Sequence, residues 1–143
     1  MTYQPPQTVS VALLKITWSS NLATNDYVSF TSEVNNISGL SISTTDISLP
    51  AGCYSVEASF GADRTNGFSD ELFFQIEVGG VLAGNIGAAD CSSASNTFVN
   101  VDQAVTTFEL RSADTLKIQC TSCTASAWTA NADYSYVLIR RAL

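Results

Sequence analysis

Apolar and polar residues alternate along most of this chain with a period of two. That is the spacing of a β-strand with one face on a core and the other in solvent. The pattern is clearest from Cys53 to Phe60, where Tyr54, Val56, Ala58 and Phe60 point one way and Ser55, Glu57 and Ser59 the other. It recurs from Glu71 to Val78, with Leu72, Phe74, Ile76 and Val78 inward and Glu71, Gln75 and Glu77 outward; Phe73 breaks it by standing on the polar face. Thr115 to Cys120 places Leu116 and Ile118 inward. Two stretches are more apolar. Val11 to Leu14 is an unbroken run within Val9 to Trp18, and in the closing stretch Tyr136 and Leu138 stand opposite Val137 and Ile139. A strand apolar on both faces is central in its sheet or lies at a contact between subunits.

Turn chemistry divides these runs. Asn21 to Asp26, Asn35-Asn36, Ser38-Gly39, Pro50-Ala51-Gly52 and Ser112-Ala113-Asp114 carry turn-forming residues. Gly79-Gly80 between Val78 and Val81 is a strong hairpin signal, because the tight turns that suit twisted strands need positive φ. Gly61 to Asp70, Gly87 to Asn96 and Thr121 to Ala132 read as loops, the last carrying Trp128. Shorter strands fall at Tyr27 to Phe30, Leu40 to Thr44, Val81 to Ala83, Phe98 to Val101 and Ala104 to Leu110. The count comes to about nine or ten strands without a helical pattern, which describes an all-β sandwich or barrel. One domain over residues 9–143 follows an extended N-terminal arm, residues 1–8. Pro5 and Pro6 each fix φ and lack an N–H, so the segment is either a frayed terminus or an arm that reaches a neighbouring subunit.

Composition narrows the function. Charged residues make up 13% of the 143, about half the usual ~25%. Ser, Thr and Asn take their place, a palette for exposed strand faces rather than helix surfaces. The net charge is −7, and the six basic residues are scattered, with only Arg140-Arg141 adjacent. A nucleic-acid surface needs a basic stripe, so no nucleic-acid partner is expected. No apolar run approaches the ~20 residues of a membrane-spanning helix, and no membrane partner is expected. Met1-Thr2-Tyr3-Gln4-Pro5-Pro6 has neither the basic nor the apolar region of a secretory signal, which predicts synthesis in a cytosol with reduced thiols.

The chain has no histidine, which removes Ser-His-Asp, Cys-His and His-metal chemistry. Carboxylate pairs such as Asp63 with Asp70 or Glu71 with Glu77 are the remaining acid–base candidates, and solvated polar faces explain them equally. Cys120-Thr121-Ser122-Cys123 is a C-x-x-C that, with Cys53 and Cys91, would make a four-thiolate zinc site. The alternatives are a Cys91–Cys123 disulfide and free thiols. Asp63, Asn66 and Asp70 offer oxygen ligands to calcium without the dense spacing of an EF-hand. No enzyme activity, cofactor or metal is therefore expected. Phe73, Tyr134 and Tyr136 fit no single inward face; they suit either a subunit interface or a core edge.

The order of motifs resembles a known family. Tyr27-Val28-Ser29-Phe30, then Glu33-Val34-Asn35-Asn36, then Ile47-Ser48-Leu49-Pro50-Ala51-Gly52-Cys53-Tyr54 resembles the tumour-necrosis-factor and complement globular-head jelly roll, with its "Pro-x-Gly-x-Tyr" lead into a core strand. The Gly79-Gly80 hairpin, Ala113-Asp114-Thr115-Leu116-Lys117-Ile118 and the closing strand Tyr134 to Ile139 continue the likeness over residues 9–143. The resemblance implies a two-sheet antiparallel jelly-roll sandwich that trimerises through one sheet and the closing strand. The same fold is common in decoration proteins and fibre tips of tailed bacteriophages, whose composition this chain shares. The expected function is a homotrimeric capsid decoration (cement) protein, made in the host cytoplasm, residing on the virion surface and binding the major capsid protein. Trimer contacts are expected from Phe73, Tyr134, Tyr136 and Leu138, and capsid binding from Thr2, Tyr3, Gln4, Pro5 and Pro6 of the arm. The alternative is a receptor-binding fibre knob, with Trp128, Asn131 and Asp133 stacking on and bonding to glycan.

Overall fold

A computed structural model describes residues 9–18, 22–64, 70–91, 98–123, 128–130 and 132–142. They form eleven strands: β1 (Val9–Thr17), β2 (Ser29–Asn35), β3 (Ser41–Ser43), β4 (Asp46–Leu49), β5 (Gly52–Arg64), β6 (Asp70–Val78), β7 (Val81–Cys91), β8 (Phe98–Leu110), β9 (Asp114–Cys123), β10 (Trp128–Ala130) and β11 (Tyr136–Ala142). Several are longer than the sequence suggested. Gly61 to Arg64 belongs to β5, Gly87 to Cys91 to β7 and Thr121 to Cys123 to β9, while Trp128 opens a short strand of its own. Polar, Gly-rich composition marked these stretches as loops; ladder hydrogen bonds to a long partner strand override weak local propensity.

The strands form two antiparallel sheets. In the six-stranded sheet β2, β1, β11 and β5 lie side by side, β8 covers the whole far edge of β5, and β10 takes over from β11 beside the end of β5. The second sheet runs β3-β4-β9-β6-β7. Ala12, Leu14, Ile16, Tyr54, Val56, Ala58, Phe60, Val137 and Ile139 of the first sheet meet Ile47, Leu49, Phe74, Ile76, Leu116, Ile118 and Cys120 of the second in one buried core. The alternation read from the sequence thus gives the inward faces of both sheets. At one end the core is aromatic. Phe60 and Phe74, one from each sheet, stack with centroids 4.1 Å apart, and the Trp18 ring lies 5.4 Å from Phe74.

Where β11 leaves β5, a buried serine completes the ladder. Ser135 Oγ accepts from Gly61 N at 3.1 Å and donates to Gly61 O at 2.8 Å, while Ser59 Oγ donates to Tyr134 O at 2.7 Å. Backbone groups that lose their strand partner inside a protein need such replacements.

The β6–β7 turn is made by Gly79 and Gly80 at φ +60° and +76°, closed by the Val78–Val81 pair. The Asp114 carboxylate packs against Gly79 where a Cβ would stand, whereas Gly80 faces open space. Gly79→Ala is therefore expected to cost more than Gly80→Ala. The strained backbone alone gives about 1 kcal/mol at either site, and displacing Asp114 raises the Gly79 loss to about 2–3 kcal/mol. Urea titration of the two variants checks the difference.

Candidate assembly surface

The outward faces of the two sheets differ. Strand register in the six-stranded sheet aligns Val34, Leu13, Leu138, Glu57 and Val105 in one row across β2, β1, β11, β5 and β8. Four of these five residues are apolar. Leu13 and Leu138 are half-buried by their neighbours, and the row ends are open, with Val34 43% and Val105 66% exposed. The one charge in the row is neutralised in place. Glu57 lies 3.8 Å from Arg140 and accepts the Tyr136 hydroxyl at 3.3 Å. Beside this row a groove of about 490 Å³ is lined by Leu13, Lys15, Glu33, Asp133, Tyr136 and Leu138, with Lys15 and Glu33 paired at 3.3 Å. Glu33 is the extra residue of a β-bulge that lets Val34 face Leu13 and Ser32 face Leu14.

The outward face of β6 and β9 is a polar lattice. Gln119 donates to Asn25 O at 3.1 Å, and Gln75 donates to Gln119 at 2.9 Å and to Glu77 at 2.7 Å. Glu77 also accepts the Tyr27 hydroxyl at 3.2 Å. Lys117 stands 5.1 Å above the Tyr27 ring and 3.3 Å from Asp46. Burial, then the Glu77 carboxylate, holds the Tyr27 phenol above its ordinary pKa, against the opposing pull of Lys117. These groups pair with one another, so this face has little to gain by being covered.

Exposed apolar side chains recur at the margin where the sheets meet. Val81 and Leu82 at the start of β7 are 69% and 55% exposed. Thr106 Oγ1 donates to Ala83 O at 2.8 Å and ties this margin to β8 next to Val105.

Of the sequence-predicted contacts, Tyr136 and Leu138 share the outer face of the six-stranded sheet. Tyr134 is exposed in the turn just before them. Phe73 does not join them: it lies on β6 of the other sheet, half-buried, because its apolar character said nothing about which sheet its strand enters. Leu13, Val34 and Val105 were missed; the signal for Leu13 was the unbroken Val11 to Leu14 run. Thr2, Tyr3, Gln4, Pro5 and Pro6 lie outside the described residues, as do Asn131 and Asn66. Of the glycan set, Trp128 begins β10 opposite Arg64, and Asp133 lines the groove beside Tyr136 and Leu138.

The two described cysteine side chains lie apart. Cys53 is exposed on the outer face of the six-stranded sheet and Cys120 is buried in the core, each as a free thiol. Cys91 and Cys123 flank β6, opposite Asp70 and Leu72 respectively. Among the described residues no group of three Cys, Asp or Glu could hold a metal. Asp63 and Asp70 of the calcium set lie on strands of different sheets.

The Pro50-Ala51-Gly52 turn that leads into β5 is held twice. Tyr54 donates to Pro50 O at 2.6 Å, and Arg141 Nη2 donates to Ala51 O at 2.6 Å. Burial holds the Tyr54 phenol above its ordinary value of 10.0, with Arg141 opposing. The folded chain thus keeps this proton more tightly than the unfolded chain. Tyr54's contribution to stability is full below pH 10 and is lost as pH rises through the folded value. Tyr54→Phe should shallow the alkaline fall in melting temperature and cost about 1 kcal/mol at neutral pH, read by pH-dependent thermal melts.

No protein-family model matches the sequence, and no curated protein matches it. Solved structures do match. Murine APRIL crystallised at pH 8.0 is similar with a TM-score of 0.65 and 13% identity over 94% of this chain and 99% of that one. Two further murine APRIL structures, at pH 5.0 and pH 8.5, give TM-scores of 0.62 with 14% and 13% identity and the same coverage. At such identity the likeness concerns the path of the chain. The architecture of this protein is the two-sheet antiparallel jelly roll of the tumour-necrosis-factor type.

Proposed function

We propose that this chain is a non-catalytic structural protein that closes into a homotrimer through the outer face of its six-stranded sheet and decorates the shell of a tailed phage. The observation that carries the assembly reading is the in-register row Val34–Leu13–Leu138–Glu57–Val105 set against the self-satisfied polar face of the other sheet. A closed threefold ring is heterologous: each copy presents two different patches, one to each neighbour. The open row and groove on β1 and β11 supply one patch. The exposed margin at Val81, Leu82 and Val105 supplies the other. Side chains of this kind at the centre of an interface lose water and gain dispersion contacts, while Glu57 keeps its hydrogen bond from Tyr136 and its ion pair with Arg140.

The virion setting rests on composition: 13% charged residues, net charge −7, and a chain rich in Ser, Thr and Asn. A trimer offers three identical grips around one axis, and detaching it requires releasing several contacts together. The test is electron microscopy of phage shells incubated with the purified chain. Decoration adds three-lobed density to the outer surface and raises the temperature at which the shells open. Shells that bind none of it, or bind it without stabilisation, refute the setting while leaving the trimer to be judged on its own mass.

A further inference from the structure

The self-pairing on the outer face of β6 and β9 stops at the hairpin end of that face. There a recess of about 280 Å³ lies between the Gly79-Gly80 turn, Glu77, the start of β9 and Tyr27. Its charged groups are already held. Glu77 accepts from Gln75 and Tyr27, Lys117 is paired with Asp46, and Asp114 Oδ1 accepts Thr115 N at 2.8 Å. Bonding capacity is left over. Asp114 Oδ2 and the Thr115 hydroxyl have no hydrogen-bond partner among the described residues. Each Glu77 oxygen keeps a second lone pair, and Lys117 has three N–H groups for one carboxylate.

We propose that this recess binds one ring of a neutral carbohydrate. Elimination leads to it. An anion meets two carboxylates, Glu77 and Asp114. An organic cation meets the Lys117 ammonium, which stands 5.1 Å over the Tyr27 ring. A metal ion needs more oxygen ligands than the recess offers, since among the described residues no group of three Cys, Asp or Glu could hold one. An apolar ligand strips water from these charges and returns no hydrogen bond. A neutral polyol suits all of them, because every hydroxyl both donates and accepts. It gives hydrogen bonds to Asp114 and Glu77 and takes them from Lys117, each strengthened by the charge. Glu77, Lys117 and Asp114 are ordered before the ligand arrives, so little side-chain freedom is lost on binding. The volume falls just under the ~300 Å³ at which sites for drug-sized ligands begin, which limits the occupant to about one ring. The site uses none of Trp128, Asn131 and Asp133, and it lies on the sheet opposite the Leu13–Leu138 row, so it does not depend on assembly.

Saturation-transfer NMR on the intact chain tests it, with the methyl glycosides of glucose, galactose, mannose and N-acetylglucosamine as probes. At least one should bind with a Kd of order millimolar. Its addition should move the backbone amide shifts of Gly79, Gly80 and Thr115 most. Asp114→Ala and Lys117→Met should each weaken binding about tenfold or more, with circular dichroism confirming the fold. Leu138→Arg, on the other sheet, should bind as the parent chain does, whatever its oligomeric state. Failure of all four glycosides overturns the proposal, as do shifts centred elsewhere or undiminished binding in both recess variants. The shift map decides the matter on the parent chain should a variant fail to fold.

Discussion

A chain carrying Leu138→Arg is expected to run as a folded monomer. Leu138 sits at the middle of the apolar row, flanked in register by Leu13 on β1 and Glu57 on β5. In the lone protomer the position is half-buried on an outward face, so a guanidinium reaches solvent or Glu57 at little cost to the fold. In the trimer the same group is driven into a dehydrated contact, and an ill-paired buried charge costs several kcal/mol. An apolar anchor at the centre of an interface is worth about 2 kcal/mol or more, so trimer dissociation should shift by at least about a hundredfold once both losses act. Val105→Arg at the exposed margin should weaken the same assembly from the other patch. Ser48→Lys, exposed on β4 of the other sheet, should leave it unchanged. Sedimentation velocity over a range of concentrations, with circular dichroism to confirm the fold, reads all three.

Phe74→Ala should produce the largest loss of stability among single core changes. The ring is 4% exposed and bridges the sheets, stacked on Phe60 at 4.1 Å and tilted against Trp18 at 5.4 Å. Removing it forfeits the transfer free energy of the ring and leaves a cavity between two elements that cannot collapse independently. The expected cost is about 3–5 kcal/mol, or about 10–15 °C in melting temperature for a chain of this length. Phe73→Ala, one residue earlier and half-buried on the outer face, should cost less than about 1.5 kcal/mol. Equal losses at the two positions would mean that the face assignment of β6 is wrong.

Much of this fold was legible because its inward faces obey a strict period. Tyr54, Val56, Ala58 and Phe60, or Leu116 and Ile118, declare which side is buried without reference to any partner strand. Gly79-Gly80 declared its hairpin for the same reason, since φ and closing pair are local properties. Strand ends were less legible. The ends of β5, β7 and β9 run through polar and Gly-rich sequence, and what keeps them extended is a neighbouring strand distant in sequence. The assembly surface was half legible for a related reason. Tyr136 and Leu138 stood out because a strand with two apolar faces needs cover on both. Val34 and Val105 looked like ordinary strand residues; only register joins them to Leu13 and Leu138 in one row. Phe73 looked like their companion because period two reports which side of its own strand a residue takes, never which sheet that strand joins.

The mass of the native protein in solution bears most directly on this account. Three times the 15.2 kDa protomer mass is predicted, persisting on dilution into the nanomolar range and falling to one protomer in Leu138→Arg. A chain that stays at a single protomer mass at high concentration would contradict it.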